Sequence, residues 1–138
     1  MFCINPLSVI GLCQIALSRN SKSIILSAAT SNVSKMLVSY IKLISRDIKI
    51  YGISRSPQYD DYLKTLGYDE LYRSDEIETI KSRLINDDNS VFYDCVGGNF
   101  AGTIFNILPK NSIMVNYGRL SKEQLGSIDL GELYFRNK

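Results

Sequence analysis

Three short stretches of this 138-residue chain carry residue types suited to an anionic ligand. The first is Ala28-Ala29-Thr30-Ser31-Asn32-Val33-Ser34, which joins an apolar run to a helix-period segment. Amide N–H groups at such a helix start hold anions. Ser31 and Asn32 can also hydrogen-bond a phosphate and accept turn conformations. The usual Gly-x-Gly-x-x-Gly fingerprint is absent, and Ser34 stands where its last glycine would let helix and strand pack closely. The bland alternative is an empty strand–helix corner. The second stretch is Ile53-Ser54-Arg55-Ser56. A carboxylate at such a strand tip accepts the ribose hydroxyls of NAD. Here there is no acid, and an arginine lies between two hydroxyl residues, which is what a 2′-phosphate wants. On its own, Arg55 reads more readily as an ordinary solvated loop arginine than as a phosphate ligand. The third stretch is Asp94-Cys95-Val96-Gly97-Gly98, whose paired glycines permit close backbone approach to a ligand or simply make a turn.

Other chemistries are excluded by what is missing. The chain has no histidine, so Ser-His-Asp, Cys-His and His-based zinc sites are out. Cys3, Cys13 and Cys95 are too scattered for a Cys-x-x-Cys metal pair, and their odd number argues against a disulfide framework. All three are expected in the core of a reduced, intracellular protein, and a cytoplasmic location follows. The acidic pairs Asp60-Asp61, Asp75-Glu76 and Asp87-Asp88 fall at helix starts or turns, where capping and solvation explain them. Sixteen basic against fourteen acidic residues give a net charge of +2, too mild for a nucleic-acid partner. No apolar run approaches a membrane span, and the apolar Met1–Leu17 stretch lacks the basic start of a signal peptide.

The elements that must position these residues alternate between apolar runs and helix-period segments, the pattern of βαβ units. Asn5-Pro6 suits the N-cap and first position of a helix that is apolar almost all round and therefore buried. Strands are expected at 23–29, 48–53, 69–73, 90–96 and 112–118. A helix over 33–45 has Val33, Met36, Leu37, Tyr40, Ile41 and Ile44 on one stripe. Ser56-Pro57 opens a helix closed by Gly67, Ser74 and Asp75 cap one over 76–85, and another covers 100–108. Leu130–Phe135 reads as a short helical turn. The expected fold is α/β, a doubly wound parallel sheet of about five strands with helices on both faces. In such sheets ligands sit beyond the carboxyl ends of the strands.

Several segments, in order, resemble the coenzyme-binding domain of the medium-chain dehydrogenase/reductase superfamily. The likeness is to its zinc-independent quinone oxidoreductase and enoyl-thioester reductase branch. Asn5-Pro6-Leu7-Ser8 is similar to that branch's Asn-Pro-Leu-Thr, and Leu66-Gly67-Tyr68-Asp69 to its Leu-Gly-Ala-Asp. Tyr93-Asp94-Cys95-Val96-Gly97-Gly98 resembles its Phe-Asp-x-Val-Gly-Gly. Val115-Asn116-Tyr117-Gly118-Arg119-Leu120-Ser121 resembles its Val-x-Tyr-Gly-x-Leu-Ser. Residues 27–36 resemble its Ala/Ser-rich phosphate loop, and residues 129–138 also follow its pattern.

The resemblance implies NADP(H) as cofactor, NAD being the less favoured, and hydride transfer to a quinone or activated double bond. It places Asn5 near the nicotinamide and Thr30, Ser31, Asn32 and Val33 around the pyrophosphate. Ser54 and Arg55 would meet the 2′-phosphate, and Val96, Gly97, Tyr117 and Gly118 would line the cleft. Two departures stand out. Ser34 replaces a glycine, which could push the helix off the sheet or narrow the site. The family's substrate domain and sixth strand find no counterpart, which leaves an incomplete Rossmann-type domain with a bare sheet edge. From this follow a chain inactive or nearly so by itself, and a separate chain carrying the substrate domain or a homo-oligomer as partner. The rival reading is a non-catalytic remnant or structural subunit from a split or decayed reductase gene. No catalytic residue is expected on this chain.

Overall fold

Strand β1 (Ser23–Leu26) is buried at all four positions, as a mostly apolar run in the middle of a parallel sheet must be. A computed structural model describes residues 4–138. In chain order the other elements are α1 (Ile4–Ser18), α2 (Asn32–Ile44), β2 (Lys49–Ser54), α3 (Asp60–Leu66), β3 (Glu70–Arg73), α4 (Ile77–Leu84), β4 (Ser90–Asp94), α5 (Gly98–Ile107), β5 (Ile113–Asn116) and α6 (Leu130–Phe135). A single 3-10 turn, Pro57–Tyr59, capped by Ser56, leads into α3. The sheet order is β3-β2-β1-β4-β5, all parallel. The chain thus winds outward from β1 to β3, returns beside β1 as β4, and ends at β5. Its switch point lies between β1 and β4, and in sheets of this kind ligands bind beyond the strand ends at that point.

Side chains alternate across the sheet, which gives two cores. Ile24, Leu26, Ile50, Val91 and Tyr93 face α1 and α2, while Ile25, Tyr51, Ile53 and Phe92 face α4 and α5. At the foot of the sheet Ser23 and Ser90 share a 2.6 Å hydroxyl–hydroxyl bond, so the polar strand starts are satisfied inside the fold. Gly67 closes α3 at φ 122°, a left-handed conformation that favours glycine.

Four local expectations are corrected. Helix α1 already includes Ile4, so Asn5 lies in its first turn and is not its N-cap; Pro6 is tolerated there because that turn needs no donor. Nor is α1 buried all round. Val9, Leu12, Cys13 and Ala16 pack inward, but Leu7 is 67% and Ile10 50% exposed, because α1 rests on its neighbours by one side only. Helix α2 buries Ser34, Leu37, Val38 and Ile41, whereas Met36, Tyr40 and Ile44 of the expected stripe are exposed. Its apolar surface is wider than one face, and the sheet takes the side that carries the small Ser34. Finally, Glu76 and not Ser74 or Asp75 occupies the N-cap of α4, and its carboxylate accepts the Arg73 N–H at 2.5 Å. Cys13 and Cys95 are buried as expected, and Cys3 lies outside the described residues. Among the described residues no helix is long and apolar enough to cross a membrane.

Candidate functional site

The corner between β1 and α2 is built from small residues tied to both neighbouring strands. The Ser27 N–H donates to Tyr93 O at 3.1 Å, and the Ala29 N–H to Ile53 O at 3.0 Å. The Ser27 hydroxyl accepts the Cys95 N–H at 3.0 Å. Ser31 is the N-cap of α2: its side chain accepts the Ser34 N–H at 3.1 Å, and its hydroxyl donates to Ser34 Oγ at 2.9 Å. Ser34 is fully buried, and Leu37, Val38 and Ile41 behind it are as well. The extra side chain therefore does not push α2 off the sheet; its hydroxyl is absorbed by the cap. Among the described residues nothing takes the amides of Asn32 and Val33, which are the unpaired donors of the helix start. Thr30 and Asn32 are exposed at this mouth, with Ser31 and Val33 partly buried. Asn5 joins Asn32 in the wall of a groove between α1 and α2.

The ends of β4 and β5 are organised by a carboxylate that the sequence reading did not single out. Asp94 is wholly buried and accepts from Val96 N at 3.1 Å, Gly97 N at 2.9 Å and Asn116 Nδ2 at 2.6 Å. The Tyr117 N–H donates to Asp94 O at 2.8 Å, which fixes Tyr117 beyond β5. The Tyr117 ring reaches back to the β1–α2 corner, where its hydroxyl is buried beside Ser34, Ser31 and Cys95 without a well-formed hydrogen bond. Burial pushes this phenol above its ordinary range, while the Ser34 hydroxyl draws it back. Gly118 packs closely: a Cβ there would stand 3.0 Å from both Cβ and O of Cys95, so Cys95 would have to give by a few tenths of an ångström.

Gly97 and Gly98 have φ of 73° and 68°, and their freedom serves the chain itself. Ser121 N donates to Val96 O and Gly126 N to Gly98 O, both at 2.9 Å. A Cβ on Gly98 would meet the Glu123 carboxylate at 2.5 Å. The close approach that these glycines allow is thus made by residues 119–126.

At the tip of β2, Ser54 is buried and Arg55 exposed, and no described residue pairs with Arg55. The parallel register sets Ser54 beside Arg73, the last residue of β3. The Arg73 guanidinium donates to the Ser54 hydroxyl, to Ser56 O at 2.8 Å, and to the Asp60 carboxylate. The tip therefore holds two cations and one acid, where the sequence showed one cation and no acid. This corrects the reading of Asp60 as a capping or solvated acid: it is ion-paired to Arg73, because strand register and not sequence spacing brings the two together.

Thr30, Ser54, Val96 and Tyr117 all follow or end strands at the carboxyl edge of the sheet. A capped helix start with two free amides and a cationic tip beside it suit an elongated anion. The residues present therefore fit a dinucleotide phosphate.

No family model matches the chain. It is 29% identical over 130 residues to the mitochondrial enoyl-(acyl-carrier-protein) reductase of Arabidopsis thaliana, covering 88% of this chain and 34% of that protein. A Mesorhizobium loti protein assigned as an NADPH:quinone reductase superposes at TM-score 0.87 and 23% identity, over 99% of this chain and 40% of its own. The enoyl thioester reductase Etr1p, in complex with NADP and crotonyl-CoA, gives TM-score 0.82 at 23% identity, over 99% of this chain and 41% of its own. The chain spans well under half the length of each. The mitochondrial name of the Arabidopsis relative lends no support to a cytoplasmic location. The chain thus resembles, over nearly its whole length, the Rossmann-type nucleotide-binding domain of enoyl thioester and NADPH:quinone reductases in the medium-chain dehydrogenase/reductase family.

Proposed function

We propose that the chain is the NADP(H)-binding domain of a zinc-independent, quinone-reductase-like oxidoreductase. The observation that carries this reading is the β2 tip, where the exposed Arg55, unpaired among the described residues, stands beside a capped helix start with free amides. Thr30, Ser31, Asn32 and Val33 hold the pyrophosphate, chiefly through the Asn32 and Val33 amides. Ser54 and Arg55 take the 2′-phosphate. Val96, Gly97, Tyr117 and Gly118 line the cleft, and Asn5 sits toward the nicotinamide. When bound, the cofactor supplies the hydride, and the protein's part is to orient it. Titration with NADPH and NADH, followed by nicotinamide fluorescence, tests the assignment. Saturable NADPH binding is expected, weakened about tenfold in Arg55→Ala by loss of a charge-assisted contact. Absence of binding by either nucleotide at millimolar concentration refutes it.

The relatives are more than twice as long as this chain, and in this reading the substrate side of the reaction belongs to what the chain does not match. The 138-residue chain alone is therefore expected to reduce a small quinone negligibly, and turnover at ordinary enzyme rates would contradict this. The second reading, a non-catalytic module that keeps the fold, is favoured by the occupied Gly97–Gly98 face and by the glycine-free corner. It predicts no nucleotide binding at all.

A further inference from the structure

We propose that Arg73, held in place by Asp60, is a specificity-determining residue of the nucleotide site, and that this pair sets the preference for a 2′-phosphate over a free ribose diol. The inference rests on the NADP(H) reading above and extends it to two residues of other elements.

Strand register is the first support. Ser54 and Arg73 are partners at the carboxyl ends of adjacent parallel strands, so the guanidinium is delivered to the tip by the sheet itself. Occupancy is the second. A guanidinium has five N–H donors in a rigid plane. One terminal nitrogen of Arg73 serves the Ser54 hydroxyl and Ser56 O, and the other serves Asp60. Nε and one further N–H remain for oxygens of a ligand. The rotamer is already fixed, so little entropy is lost when a phosphate arrives.

The third support is the state of Asp60. One carboxylate oxygen accepts from Arg73, and the other is shut away from water with no donor. Arg73 is its only ion-pair partner among the described residues. With the pair intact the acid is neutralised, and Arg55 leaves the tip net positive. Without Arg73 the same carboxylate is released at the end of β2. There it repels a phosphate and accepts ribose hydroxyls, the pattern that favours NAD.

The test is a fluorescence titration of the whole chain with NADPH and NADH, for the natural protein, Arg73→Gln and Asp60→Asn, with thermal unfolding of each as a check of folding. Arg73→Gln is expected to lower NADPH affinity relative to NADH by about tenfold or more, the scale of a charge-assisted bond plus a released acid. Asp60→Asn, whose amide oxygen still accepts from Arg73 while the negative charge is gone, is expected to raise the preference for NADPH. If the natural protein prefers NADPH and both variants keep its ratio, the inference fails while the site reading stands. If the natural protein binds neither nucleotide, both fail. If Arg73→Gln does not fold, Asp60→Asn decides alone: a raised NADPH preference supports the proposal, and a kept or lowered one overturns it.

Discussion

Asp94 shows how a single side chain can fix the geometry of a loop whose backbone would otherwise lack partners. Fully buried, it answers two loop amides and the Asn116 side chain at once. Asp94→Ala should cost about 3 kcal/mol, because three donors lose their acceptor inside the fold. Urea unfolding measures this, and a loss below about 1 kcal/mol would mean that water replaces the carboxylate. Gly118 is constrained by contact with backbone: Gly118→Ala should cost about 1–3 kcal/mol because the Cys95 carbonyl must shift by a few tenths of an ångström to admit the methyl. At this scale the sequence was informative where neighbours along the chain make the structure, as in the Thr30-Ser31-Asn32 turn that leads into α2. It was silent on Asp94 as an acceptor and on the Arg73–Asp60 pair. Both depend on strands meeting side by side, which no spacing along the chain records.

Among the elements, β2 illustrates why a strand interior can require glycine. A Cβ on Gly52 would lie 2.7 Å from both Leu71 Cδ2 and Tyr68 Cε1. Tyr68 uses that space to cross the sheet face, and its hydroxyl donates to Ala29 O at 3.0 Å in the β1–α2 loop. Gly52→Val is therefore expected to destabilise the fold by about 1–3 kcal/mol through overpacking, and to loosen the loop that Tyr68 braces. Denaturant unfolding reads the first effect, and faster amide exchange at Ala29–Asn32 reads the second. A variant as stable as the parent would show that Tyr68 can retreat freely. The strands and their order were legible in the chain, because short apolar runs separated by helical segments leave few right-handed windings. The buried side of α2 and the exposure of α1 were not. Both helices carry apolar residues on more than one face, and only the packed sheet decides which face it covers.

For the molecule as a whole, the tyrosines dominate the response to alkali. Tyr51, Tyr68, Tyr72, Tyr93 and Tyr117 all titrate above the ordinary tyrosine range, and burial is the largest cause in every case. Asp87 beside Tyr51 and Glu70 beside Tyr72 push in the same direction, since each accepts the phenol proton's hydrogen bond and repels a phenolate. These groups sit on both faces of the sheet, so no single loop can relieve them. The sign follows from linkage. Below about pH 10, the tyrosine value in an unfolded chain, both states hold their phenol protons and nothing is lost. Above it the unfolded chain releases protons that the fold retains, and stability falls. Each tyrosine held protonated contributes up to about 1.4 kcal/mol per pH unit to that fall. With five such groups, a domain of ordinary stability should unfold cooperatively within a narrow range above that pH. Denaturant unfolding through the alkaline range, with tyrosinate absorbance recorded alongside, measures the slope and the titration together. Stability that stays level between about pH 9 and 11 would show that the phenols ionise inside the intact sheet. A steep loss coincident with tyrosinate appearance would show that the fold must open before they do.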